Sequence, residues 1–209
     1  MNLIVSLTFL ILQYVQLNDV VVLPHKAYTI HYSKSKNYPV KVEWWLTKEM
    51  LSCVKKVPRT DKFIQDPLFV TGTNLQDSYT GSGFDRGHNY NAADAACDPV
   101  SMRESFYFSN MTAQYPSLNR GDWKSLEEYT RNLALEKDSI RVICGSSGEL
   151  KKIGTVSVPI SCWKIIYIKK EKRVIAFIFS NNQSRPDGFE NNKVPVEAVK
   201  ALAEIRIDI

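Results

Sequence analysis

From residue 28 onward, hydrophobic and polar positions fall into short runs of strand-like composition, interrupted once by a run of helical period. Residues 28–32 and 40–46 are rich in aromatic and β-branched side chains, with Ser, Lys, Asn and Pro between them, and predict two strands joined by a turn. Residues 48–56 have no clear period. Residues 58–79 carry Pro, Gly, Asn and Asp and predict mostly loop, with a turn at 71–74. Gly81-Ser82-Gly83 is a flexible entry that sets His88 near a strand start or a turn. Residues 92–97 and 101–107 predict short helical turns. Residues 119–134 predict the principal helix, because Trp123, Leu126 and Leu133, with Tyr129 or Thr130, form an apolar stripe. Runs at 140–144, 156–159, 163–169 and 174–179 predict strands, and 196–203 a short terminal helix. Strands flanking a central helical element predict an α+β fold with an antiparallel-rich sheet.

Composition narrows this picture modestly. The 209 residues suffice for one well-buried core and would be cramped as two domains. No internal repeat, low-complexity tract or Gly/Ser linker interrupts the chain, so residues 19–209 are expected to form a single domain. Residues 1–17 are mostly apolar and short for a membrane span, as the core of a secretory signal is, whereas the lack of Lys or Arg before Lys26 and of a small-x-small cleavage site after Leu17 argues for an extension instead. Residues 1–18 therefore read as a signal peptide or an N-terminal extension. The expectation is a secreted or periplasmic protein, with an intracellular one as the alternative, and no stable membrane insertion. A net charge of +5 permits a polyanionic substrate without arguing for one. Cys53, Cys97, Cys144 and Cys162 match no metal-binding spacing. They allow two disulfides in any of three pairings, or buried thiols.

The chemistry concentrates between Asp85 and Arg131. Asn119, Trp123, Glu127 and Arg131 are spaced by four, so on a helix an amide, a carboxylate and a guanidinium would follow one stripe. The plain alternative for Glu127 and Arg131 is a surface ion pair of little energetic weight. His88 could serve as a general base, neutral near pH 7, or as a hydrogen-bonded structural residue.

Four blocks in order decide between these readings. Asp85-Arg86-Gly87-His88, then Ser109-Asn110-Met111-Thr112-Ala113-Gln114, Leu118-Asn119-Arg120-Gly121-Asp122-Trp123 and Leu126-Glu127, resemble the DNA/RNA non-specific endonucleases, both Serratia-nuclease-like and endonuclease-G-like. The resemblance runs from about residue 26 onward. It implies a ββα-metal (His-Me) finger and hydrolysis of DNA and RNA phosphodiesters with little sequence preference, leaving 5′-phosphate ends. It also implies that His88 is the general base and Asn119 the direct ligand to one Mg²⁺, with Mn²⁺ as the alternative. Glu127 would reach the metal through water, and Arg131 and Arg59 would bind phosphate. Arg86, Asp85, Gly87, Asn110 and Gln114 would support the site. Some family members dimerise, so a homodimer is allowed as a partner; if residues 1–17 are not a signal, a cellular nuclease or a toxin restrained by a protein inhibitor becomes the alternative. Two rival readings are a catalytically silent nucleic-acid binder and a phosphodiesterase acting on a small substrate. Asn110-Met111-Thr112 and Asn182-Gln183-Ser184 both fit the glycosylation pattern, but modification of Asn110 would clash with its supporting role.

Overall fold

A computed structural model describes residues 19–70, 72 and 75–209. The apolar run at 1–17 and three of the four residues of the predicted turn at 71–74 lie outside the described residues. Seven antiparallel strands form the main sheet, in the order β1 (Val20–Pro24), β2 (Thr29–Ser33), β3 (Tyr38–Thr47), β6 (Ser139–Ser147), β9 (Ser161–Ile168), β10 (Arg173–Ser180) and β11 (Lys193–Val194). Two ribbons lie apart from it: β4 (Asp85–His88) with β5 (Met111–Gln114), and β7 (Lys151–Ile153) with β8 (Val156–Val158). The helices are α1 (Lys48–Leu51), α2 (Leu75–Tyr79), α3 (Pro99–Glu104), α4 (Pro116–Leu118), α5 (Lys124–Lys137) and α6 (Val196–Leu202).

The sheet is covered on both faces. Along β9 the side chains alternate: Cys162, Ile166 and Ile168 join the core that contains Leu126, Leu133 and Ala134 of α5. Trp163 and Ile165 point the other way and pack with Val199 of α6 and with Ile207. Burial on both faces explains why 163–169 reads as a nearly continuous apolar run rather than a clean alternation. A third cluster joins the two ribbons, with Phe108, Met111 and Ala113 packed among Leu75, Tyr79, Phe84, Ile153, Val156 and Val158. The site-bearing ribbon therefore has its own small core.

The structure corrects the sequence reading at several points. The principal helix does not run unbroken from 119. Gly121 has φ −103° and ψ −111°, so Asn119–Trp123 form a wide turn and regular helix begins at Lys124. A Cβ on Gly121 would lie 2.2 Å from Cγ of Pro186, and Asp122 accepts hydrogen bonds from the backbone N–H groups of Asp187 and Gly188. The 186–188 loop thus presses on the bulge and holds it. Asn119 does not share one helical stripe with Glu127 and Arg131. The segment at 58–79, expected to be loop, contains α2, and His88 ends a short strand rather than starting one. The run at 156–159 pairs with β7 outside the main sheet. Of the cysteines, Cys53 and Cys97 form a disulfide while Cys144 and Cys162 are buried thiols. Among the described residues, no helix is long and apolar enough to cross a membrane.

Candidate active site

A ββα arrangement of β4, β5 and α5 carries the site. The ribbon register sets Asp85 opposite Gln114, Gly87 opposite Thr112 and His88 opposite Met111. Gly87 leaves no room for a side chain unless Gln114 moves, because an added Cβ would stand 2.2 Å from Oε1 of Gln114. Gln114 donates through Nε2 to Sγ of Cys162 at 3.4 Å, which ties the ribbon to the main sheet. Asn110 is fully buried and spans two segments. Its Oδ1 accepts from the Tyr90 N–H at 2.9 Å, and its Nδ2 donates to the carbonyls of Tyr90 and Ser105, each at 2.8 Å. The Trp123 indole donates to the His88 carbonyl at 3.2 Å, joining the start of α5 to the end of β4. With its amide buried and fully hydrogen-bonded, Asn110 leaves no room for a glycan in the folded protein.

His88 is buried between two rings. Phe106 meets it edge-on with centroids 4.9 Å apart, and Phe63 lies 5.7 Å away. Those same rings hold the two arginines: Arg59 lies 5.0 Å from the Phe106 centroid and Arg86 lies 4.1 Å from that of Phe63. Arg59 also pairs with Asp61 at 2.6 Å, and Arg86 donates to Gln76 Oε1 at 3.1 Å. Burial is the main force that lowers the His88 pKa, with Arg59 and Arg86 adding to it against Asp61, and brings it to about 3. The ring is thus neutral at physiological pH. A hydrogen bond to the backbone of Arg86 engages one edge of the imidazole, while Nε2 has no protein partner among the described residues. A neutral, oriented nitrogen with a free lone pair is placed to accept a proton, although burial in the substrate-free protein leaves it a weaker base than an ordinary imidazole.

Across the site, Asp85 organises the amide. Asn119 Nδ2 donates to Asp85 Oδ2 at 2.9 Å, and Arg120 makes a forked pair to the same carboxylate at 2.8 and 2.7 Å. Burial works to raise the Asp85 pKa, but the Arg120 and Asn119 hydrogen bonds outweigh it and hold the group below the ordinary carboxylate range. An ionised carboxylate only accepts, so Asn119 must offer it the NH₂ group and keep Oδ1 as its remaining polar atom.

Glu127 and Arg131 sit one turn apart on α5. Asn91 donates through Nδ2 to Glu127 Oε2, and Arg131 Nη1 stands 3.5 Å from Asp94 Oδ1. Burial raises both carboxyl groups, Asp94 to about 6 despite the opposing Arg131 charge. Lys164, the single charged residue of the inward-facing apolar row of β9, is 1% exposed, with Nζ 4.3 Å from the Trp123 ring centroid. Its charge favours the ionised forms of Asp94 and Glu127.

Every residue singled out from the sequence falls in this region. His88, Arg59 and Arg86 share the Phe63–Phe106 wall, Asn119 and Asp85 pair, Glu127 and Arg131 line α5, and Gly87, Asn110 and Gln114 brace the ribbon. Asn91, Asp94, Arg120 and Lys164 were missed. The first two stand in an alanine-rich turn where only their polarity marks them, and Lys164 is marked as the one charge within an apolar strand.

The sequence profile of the DNA/RNA non-specific endonucleases matches residues 7–208. The chain belongs to this family. Among its relatives, a nuclease from Nostoc sp. is 30% identical over 190 residues, covering 84% of this chain and 68% of the relative. Mitochondrial nuclease 1 of Schizosaccharomyces pombe is 31% identical over 188 residues, covering 78% of this chain and 58% of the relative. Human mitochondrial endonuclease G is 42% identical over 67 residues, covering 32% of this chain and 23% of that protein. A solved structure of an EndoG/EndoGI complex superimposes with a TM-score of 0.80 at 25% identity, over 89% of this chain and 84% of that one. The α+β fold with its antiparallel sheet and ββα finger is thus the endonuclease fold of the family.

Proposed function

We propose that this chain is a Mg²⁺-dependent endonuclease that hydrolyses DNA and RNA phosphodiesters with little sequence preference and leaves 5′-phosphate ends. The observation that carries the reading is the pairing of a neutral His88 bearing a free Nε2 with an Asn119 amide whose oxygen is left over by Asp85. His88 takes a proton from a water as its oxygen bonds to phosphorus; the phosphorus–3′-oxygen bond breaks, and the leaving 3′-oxygen takes a proton from solvent, which leaves a 5′-phosphate and a 3′-hydroxyl. Arg59 and Arg131 bind and orient the phosphate with forked donors. Contacts limited to phosphate carry no base information, which accounts for weak sequence preference.

The donor set fits a hard cation. Asn119 Oδ1 would be an oxygen ligand, and Glu127, held at Oε2 by Asn91, would support the cation through water. Among the described residues no three His, Cys, Asp or Glu side chains cluster to chelate a metal, so one amide, water and substrate oxygens would complete the shell. When bound, Mg²⁺, or Mn²⁺ in its place, would stabilise negative charge on the phosphate and the departing 3′-oxygen.

Residues 19–209 are read as the single catalytic domain and residues 1–18 as a signal peptide or extension. The Cys53–Cys97 disulfide supports a secreted or periplasmic setting over an intracellular one, since disulfides persist in oxidising compartments. The inhibitor complex of the EndoG relative supports a protein inhibitor as a partner here, and a homodimer is kept as the assembly to test. Incubation with supercoiled plasmid, with RNA and with a dinucleotide, in Mg²⁺, Mn²⁺ or EDTA, tests the whole reading. It predicts metal-dependent cutting of both polymers and poor cutting of the dinucleotide. No cutting in either metal would overturn it.

A further inference from the structure

Glu127 and Arg131 project from consecutive turns of α5, and each meets a side chain from a single short segment opposite. Asn91 holds Glu127 and Asp94 holds Arg131, so residues three apart on a turn meet residues four apart on a helix. That turn is built to keep its shape. Asn91 Oδ1 accepts from the Ala93 N–H at 2.6 Å, and the Asp94 N–H donates to the Asn91 carbonyl at 3.0 Å. Ala92 and Ala95 are buried in the main core.

Both ends are fastened as well. Upstream, Tyr90 has its N–H and its carbonyl bonded to the Asn110 amide. Downstream, Cys97 is joined to Cys53, and the Val57 N–H donates to the Ala96 carbonyl at 2.7 Å. The same fastening runs on to Arg59, two residues beyond Val57. Loose surface turns do not need such anchoring.

We infer that Asn91 and Asp94 are positioning residues: a two-point clamp that sets the Glu127 carboxylate and the Arg131 guanidinium in their working orientations. The inference deepens the endonuclease reading and rests on it. An amide bound to Oε2 removes one oxygen of Glu127 from play and fixes which oxygen is presented. A carboxylate on one edge of Arg131 fixes the plane of the guanidinium and leaves its other N–H donors for a phosphate. Neither Asn91 nor Asp94 needs to touch substrate, so each acts only through its partner on α5.

A double-mutant cycle on plasmid cleavage in Mg²⁺ tests this. Asp94→Asn and Asn91→Ala are measured singly and in the Arg131→Ala and Glu127→Ala backgrounds, with thermal unfolding to confirm that each variant folds. Partners that orient active groups commonly contribute on the order of tenfold or more, so each single variant is expected to lose about that much in kcat/KM. Asp94→Asn should cost nothing further once Arg131 is gone, and Asn91→Ala nothing further once Glu127 is gone. A merely structural role would give losses that add in the double variants, and that result overturns the clamp. Folded single variants that cut like the wild type overturn it too. These outcomes differ from failure of the functional reading, in which the wild type itself cuts nothing.

Discussion

Asp94→Asn exchanges a buried carboxylate for an amide of nearly the same shape, and so isolates the effect of the charge. The Asp94 side chain is 4% exposed, and burial raises its pKa from 3.8 to about 6 even with Arg131 3.5 Å away. At about 1.4 kcal/mol for each pH unit, the ionised group costs the fold about 3 kcal/mol relative to an ordinary exposed aspartate. The folded pKa lies above the unfolded one, so the folded state holds the proton more tightly. Wild-type stability therefore falls as pH rises from about 4 through about 6, and the variant lacks this loss. The Arg131 charge is present at every pH in this range, and its attraction for the ionised carboxylate is already contained in the folded pKa. Urea unfolding of both proteins in EDTA should show the variant gaining about 2–3 kcal/mol on the wild type between about pH 4 and about pH 7.5. The same variant should lose cutting activity through Arg131, which would make Asp94 a site where stability is given up for function. A difference in stability that stays constant across this pH range would refute the reasoning.

Three further outcomes follow from the geometry. Gly87→Ala must displace the buried Gln114 side chain, and should destabilise the protein by about 1–3 kcal/mol; an unchanged melting temperature would contradict the close approach. Reduction of Cys53–Cys97 releases a cross-link between residues 44 apart, for which chain entropy gives about 4 kcal/mol, readable as a lower urea midpoint; an unmoved midpoint would argue that the link adds nothing. The His88 imidazole, with its pKa lowered by burial to about 3, should show no titration between about pH 5 and about pH 8 in the NMR spectrum of the metal-free protein, whereas a free imidazole titrates near 6.5. A transition for His88 within that window would remove the buried-base account.

Legibility of the fold in the sequence followed the physics of burial. Strands β2, β3, β9 and β10 were readable because aromatic and β-branched runs mark them. The ββα ribbon was not readable from period, since Asp85–His88 and Met111–Gln114 are four residues each and of mixed polarity. Its residues were found through motif blocks instead. The bulge at Asn119–Trp123 was hidden because the apolar stripe that marks the helix begins only at Trp123, past Gly121, and the distant Pro186 that packs on Gly121 leaves no local trace. Asn91 and Asp94 escaped for a similar reason, since their partners lie 36 and 37 residues away. The Cys53–Cys97 pairing depends on two loops that meet only in the folded chain.

Single-turnover cleavage of plasmid by wild type, His88→Ala and Asn119→Ala, across a Mg²⁺ series, bears most directly on the division of labour at the site. The account predicts that His88→Ala loses the chemical step at every Mg²⁺ concentration and that added imidazole restores part of it. It predicts that Asn119→Ala is defective in a way that excess Mg²⁺ partly recovers and imidazole does not. Wild-type cleavage by His88→Ala, or recovery of Asn119→Ala by imidazole rather than by metal, would contradict it.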